Sequence, residues 1–181
     1  MQTDKTVIAL GTFDGLHPGH RAVISACITL ARETRARSMV YTFIENPKSL
    51  FGPAPLELMT PEEKIRAIRA MGVDTVEAVH FTRELADLSP EAFIDMLAEG
   101  YDPSAFVAGE DYSFGRGGSG TSETLVRLAS EKGIYTKIVS TVNIKTKAGC
   151  SSEKVSSTLI REALARGDTE TARRLIQGEA V

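Results

Sequence analysis

The residues with the clearest chemical purpose lie between Gly11 and His20, GTFDGLHPGH, which holds two of the chain's three histidines. His17 and His20 stand three apart with Gly19 between them, so both imidazoles are predicted on one face of a helix's first turn. A helix start carries unpaired backbone N–H groups and a partial positive charge, and so attracts anions. Gly11, Gly15 and Gly19 allow a tight turn and the close approach of a ligand. The apolar run TVIAL precedes them. The stretch therefore reads as strand, glycine turn and exposed helix start armed with two imidazoles, a device for phosphate and hence for a nucleotide. Two other readings use the same residues. His17, His20 and Asp14 could form a zinc site, or the segment is a structural turn only.

Two further segments fit the same ligand class. Loop 109–120, GEDYSFGRGGSG, places Asp111, the alternating rings Tyr112 and Phe114, and Arg116 among glycines. Aromatic faces suit a conjugated ring system, and Arg116 with the loop's N–H groups suits an anion. The plainer alternative is a glycine connector whose rings cover the sheet. At 154–161, KVSSTLIR reads as a hydroxyl-rich helix start. Ser156, Ser157 and Thr158 would present hydroxyls and N–H groups to phosphate oxygens, and Arg161 adds a fork of donors. Here the plainer alternative is a serine cap beside a solvated arginine.

These residues need a scaffold, and the pattern around them supplies one. Thr6 to Leu10, Arg37 to Phe43, Thr75 to Val79, Ala105 to Ala108 and Tyr135 to Val142 read as strands or extended segments. Between them, helices are predicted over Arg21 to Arg35, from Thr60-Pro-Glu-Glu63 to about Met71, from Ser89-Pro-Glu to about Leu97, and over Thr121 to Lys132. The capping hydroxyls and first-turn prolines mark two of those starts. Ser157 to Ala165 and Thr169 to Gln177 read as two further helices, and Asn46 to Pro55, with three prolines, as a loop. Alternating strands and helices predict an α/β fold: an open parallel sheet with flanking helices, its ligands at the strands' carboxyl ends. No linker or repeat divides the chain, so one domain over 1–181 is expected.

Composition narrows the classes. A net charge of -3 over 181 residues argues against a general nucleic-acid or membrane surface. Cys27 and Cys150 make no metal spacing and give little support for a disulfide framework. No apolar run is long enough for a membrane span, and the first ten residues do not read as a signal peptide. A cytoplasmic location is expected.

In order, GTFDGLHPGH, LMTPEEKIRAIRAMGVD, LSPEAFIDML, FVAGEDYSFGRGGSG, KVSSTLIREAL and RGDTETARRLI resemble the FMN adenylyltransferase (FAD synthetase) domain of bacterial riboflavin kinase/FMN adenylyltransferases. That domain belongs to the HxGH nucleotidyltransferases, so the resemblance implies a Rossmann-like sheet of the nucleotidyltransferase type. It implies transfer of AMP from ATP to FMN, with magnesium accompanying the ATP phosphates and no metal held by protein ligands alone. His17, His20 and Arg161 would be catalytic. Gly11, Thr12, Phe13, Asp14, Gly19, Ser156, Ser157 and Thr158 would hold ATP. Phe43, Asn46, Pro47, Asp111, Tyr112, Phe114 and Arg116 would lie at the flavin, with Lys48 or Arg116 assisting at the phosphates. Asn46 stands where the family pattern T-F-x-x-H-P carries histidine, Leu159 where arginine is frequent, and Tyr112 where phenylalanine is usual. The chain ends at Val181, so the riboflavin kinase domain is expected to be absent. Another phosphorylated acceptor, or a non-catalytic flavin- or ATP-binding module, are the competing functions.

Overall fold

The computed structural model describes residues 5–145 and 152–179. Its centre is β1 (Thr6–Leu10), five residues that are all buried, as a strand covered on both faces must be. β2 (Arg37–Phe43) and β3 (Thr75–Val79) lie on one side of it, and β4 (Pro103–Gly109) and β5 (Tyr135–Val139) on the other. The order is β3-β2-β1-β4-β5 and every pairing is parallel. The predicted α/β architecture is therefore the observed one.

The strand period of two sorts side chains to opposite faces. Val7 and Ala9 face α1 (Pro18–Thr34), packing with its Val23, Ile24 and Cys27, and with Ile68 of α2 (Pro61–Ala70). Ile8 and Leu10 face the other way. They pack with Phe93, Ile94 and Leu97 of α4 (Pro90–Tyr101), and with Leu125 and Leu128 of α5 (Ser122–Glu131). A short α3 (Arg83–Ala86) precedes α4. Separate from the sheet, the antiparallel pair β6 (Asn143–Lys145) and β7 (Ser152–Lys154) leads into α6 (Ser157–Ala165) and α7 (Thr169–Gln177). Ile144, Val155, Ile160, Ala163, Ala172 and Leu175 form a third small core there, with Leu58 against it.

Because β2 and β4 flank β1, the connections leaving β1 and β4 diverge to opposite sides. A crevice opens between them at the strands' carboxyl ends, where ligands bind in sheets of this kind. Gly11–His20 leaves β1 into that crevice and loop 109–120 leaves β4 into it.

Several boundaries differ from the sequence reading. α1 begins at Pro18 rather than Arg21, with proline at its first position, where its fixed φ and missing N–H cost nothing. β5 ends at Val139 instead of Val142. α3, β6 and β7 were not foreseen, being three or four residues long and without periodicity. Cys27 is buried, its thiol donating to the Val7 carbonyl at 3.3 Å, and burial pushes it up to about 12. Cys150 lies outside the described residues.

Candidate active site

The turn after β1 is built under constraint. Phe13 (φ 51°) and Leu16 (φ 39°) both occupy the left-handed region, which costs a non-glycine residue on the order of 1–2 kcal/mol. Burial holds them there, since Phe13 is 1% and Leu16 4% exposed. The Phe13 ring lies so close over Gly11 that a Cβ at that position would meet it at 2.8 Å. The turn is thereby fixed before α1 begins.

His17 is the N-cap of α1 and makes no side-chain capping hydrogen bond. Thr60, Ser89, Thr121, Ser156 and Asp168 each cap their helix through a side chain. The first N–H groups of α1 thus face the crevice without a capping side chain. His20 follows in the first turn, and the two imidazoles stack with centroids 3.6 Å apart. Both Nδ1 atoms are buried without a hydrogen-bond partner, which is unusual for buried polar nitrogen and marks a place for a ligand group. Contrary to the expectation of an exposed helix start, His17 is only 7% exposed. Burial lowers its pKa to about 4 and, with the His17 ring and Lys64 nearby, lowers that of His20 well below the usual range. Both rings are neutral near pH 7.

Asp14 has partners of its own, apart from the histidines. Its carboxylate forms a buried ion pair with Arg161 and accepts from the Leu58 amide at 3.2 Å. Arg161 also donates through Nε to the Leu56 carbonyl at 2.7 Å, and Ser157 donates its hydroxyl to the Asp14 carbonyl at 2.8 Å. This arrangement disfavours Asp14 as a zinc ligand, because its charge is already matched. It also gives Ser157 and Arg161 a structural duty: they bolt α6 onto the turn after β1. Ser156 accepts from the Leu159 amide as a cap, and Thr158 is exposed.

A cleft of about 640 Å³ gathers these parts, a volume ordinary for a nucleotide-sized ligand. Gly11, Thr12, Phe13, Asp14, His17, Gly19, His20, Ser156, Ser157, Thr158 and Arg161 line it, as do Phe43, Asn46, Pro47, Asp111, Tyr112 and Phe114. Four segments far apart in sequence are thus brought together. Arg116 is the exception. Its Nε and a terminal nitrogen both donate to the Asp87 carbonyl, at 2.9 and 2.7 Å, and it is not part of the lining. Arg116 ties the glycine loop to the turn before α4. Lys48 does line the cleft.

The aromatic wall is larger than the sequence indicated. Phe43 meets Phe81 edge-on at 4.9 Å, Tyr112 stacks on Phe114 at 5.5 Å, and Phe93 lies 5.7 Å from Phe114. Phe51, Phe81, Leu85 and Phe93 join that lining without having been singled out. The signal for Phe81 was its place just after β3; Phe93 reads as ordinary helix core. Lys154 lines the cleft as well, while the buried Lys64, outside that lining, reaches the Phe43 and Thr12 carbonyls with its amino group. Asn46 is spent locally: its Oδ1 accepts from the Lys48 amide at 3.1 Å. The imidazole turn continues the core beneath α1, whereas the aromatic wall continues the core beneath α4 and α5. A polar end and a ring-sized apolar end therefore share one cleft.

A model of the FAD synthetase family matches residues 1–158. Bifunctional riboflavin kinase/FMN adenylyltransferases from Listeria monocytogenes and Bacillus subtilis are each 35% identical to this chain, covering 94% and 95% of it and 53% of their own length. The Escherichia coli protein of that description is 34% identical, over 94% of this chain and 53% of its own. The chain spans about half the length of these relatives. A crystal structure described as a macrolide-efflux protein from Streptococcus pneumoniae superposes with a TM-score of 0.81 at 30% identity, over 96% of this chain and 57% of that one. Among the described residues no helix is long and apolar enough to cross a membrane.

Proposed function

The chain belongs to the FAD synthetase family, and on that premise we propose that it transfers the adenylyl group of ATP to FMN, forming FAD and pyrophosphate. The observation that carries the proposal is the two-ended cleft: an uncapped helix start with two unpartnered imidazoles, open to an aromatic wall.

In the proposed reaction an oxygen of the FMN phosphate attacks the α-phosphorus of ATP. The bond to the bridging oxygen breaks, and pyrophosphate leaves with the electron pair. The attacking phosphate is already anionic near pH 7, so no general base is required. What remains for the protein is to align two polyanions and to stabilise charge on the oxygens around phosphorus. His17 and His20 contribute neutral N–H donors at the α1 start, beside the backbone N–H groups. The arriving phosphates favour protonation of these rings and so work against the burial that keeps them neutral. Ser156, Thr158 and Arg161 face the leaving pyrophosphate from α6. The rings of Phe43, Phe81, Tyr112 and Phe114 fit a planar tricyclic acceptor, in keeping with aromatic packing preferences.

Magnesium would enter as part of the nucleotide substrate, where it would offset the repulsion between the phosphates and ask for few protein ligands. Asp14, the carboxylate nearest the histidines in sequence, is committed to Arg161.

Incubation with ATP, magnesium and FMN, followed by chromatography for FAD and pyrophosphate, tests the proposal, with riboflavin in place of FMN as the parallel reaction. The expected result is FAD from FMN and no adenylylated product from riboflavin, which lacks the attacking phosphate. Retained binding of ATP and FMN without FAD would instead assign another acceptor or a binding role.

A further inference from the structure

We propose that Lys64 is a positioning residue for the reaction: from behind the cleft, its buried ammonium fastens the turn after β1 to the end of β2. It thereby fixes the polar end and the aromatic end of the cleft relative to each other. The inference rests on the adenylyltransferase reading given above. Lys64 belongs to α2, is 6% exposed, and is not among the residues that line the cleft. Its Nζ donates to the Phe43 carbonyl at 2.5 Å and, in a longer contact, to the Thr12 carbonyl at 3.4 Å. The Thr42 hydroxyl donates to the same Thr12 carbonyl at 3.0 Å. Thr12 and Phe43 both line the cleft. Thr12 stands two residues past β1 on the way to His17, and Phe43 ends β2 with its ring in the aromatic wall.

Packing alone does not account for a cation at this place. Lysine is almost never so buried unless it is paired, and burial lowers the pKa of this one. Of the carboxylates that favour its charge, Asp14 is engaged by Arg161 and Glu45 by His80. An apolar side chain of similar length would fill the same space without burying a charge. What such a side chain lacks is donors, and the ammonium has three on a long stem. The β1–β2 ladder ends at Leu10 and Tyr41. Beyond that pair, the side chains of Lys64 and Thr42 carry the connection between the two segments that diverge around the cleft.

Steady-state FAD formation by the whole chain, with ATP and FMN varied in turn, tests this on Lys64→Met, which keeps the length and removes the donors. Its melting temperature should stay close to the parent's, while kcat/KM falls about tenfold, the loss expected when reacting groups are misplaced. The KM values for ATP and FMN should rise together, because the clamp joins both ends. Thr42→Val, a variant of the same shape without the hydroxyl, should raise both KM values about threefold. Its effect should be smaller in the Lys64→Met background, since the two donors share the Thr12 carbonyl. Arg66→Met, on the exposed face of α2, should leave all constants unchanged. Both KM values within about twofold of the parent's in Lys64→Met and in Thr42→Val overturn the proposal. So does a rise confined to one substrate, which would make Lys64 part of a single subsite, or a lowered melting temperature with unaltered constants. If Lys64→Met does not fold, Thr42→Val alone decides between these outcomes. A parent chain that makes no FAD would overturn the adenylyltransferase reading and the clamp with it, a result distinct from normal turnover that the variants do not move.

Discussion

His17 and His20 behave as buried bases, and this has a measurable consequence for stability. Burial holds His17 near 4 and keeps His20 well below its usual range, whereas in the unfolded chain both titrate near 6.5. Between those values the unfolded state binds protons that the folded state refuses. The stabilising contribution is therefore complete above about pH 6.5 and is lost as pH falls toward 4. Each histidine adds a slope of up to about 1.4 kcal/mol per pH unit in that window. Urea unfolding at pH 5 to 6.5 should show this decline, and the variant His17→Asn with His20→Asn should show a flatter one. Parallel curves would mean that the rings are not buried as described. Nothing in the spacing of the two histidines reveals their neutrality, because it comes from burial in the folded protein, where the Phe13 ring meets His20 edge-on.

At the scale of elements, α1 combines an uncapped start with glycine in its first turn. A Cβ at Gly19 would lie 3.1 Å from Cε1 and 3.3 Å from Nδ1 of His17, so the imidazole would have to move by a few tenths of an ångström. Alanine favours a helix over glycine by about 1 kcal/mol. Gly19→Ala should therefore keep or raise the melting temperature while lowering kcat/KM for FAD formation by roughly tenfold, since displaced catalytic groups lose rate steeply. Equal activity would show that the His17 ring position is not critical. The same element illustrates a limit of pattern reading. Pro18 opens α1, but the residue before it is histidine rather than a Ser, Thr, Asp or Asn cap, so the start was placed three residues late. A missing cap is a weak signal for a helix and, once the fold is known, a strong one for a ligand.

On the scale of the molecule, the small core around α6 and α7 governs the phosphate face from outside the main sheet. Leu175 is fully buried there, and the cluster reaches the cleft through Ser157, Arg161 and their contacts to Asp14 and Leu56. Leu175→Ala should cost about 2–5 kcal/mol locally. Because α6 carries Arg161, the KM for ATP should rise more than the KM for FMN, whose aromatic wall belongs to the core beneath α4 and α5. Steady-state kinetics with each substrate varied in turn separates the two; equal changes would show that the α6–α7 unit does not act through the phosphate face.

The sequence by itself determined the α/β class, the strand–turn–helix at Gly11–His20, and most of the residues that meet in the cleft. Those features are local: strand periodicity, capping hydroxyls, prolines at helix starts and glycines at tight turns are all written over a few neighbouring residues. Tertiary structure decided what each side chain is free to do. The sequence suggests Arg116 as an anion ligand, whereas in the fold it donates to the Asp87 carbonyl. Asp14 and Arg161 neutralise one another, while Phe81 and Phe93 join the aromatic wall. The physical reason is that charge and exposure depend on neighbours distant in the chain. Asp14 and Arg161, 147 residues apart, meet only after the sheet has placed β1 at its centre and the third core has carried α6 back to it.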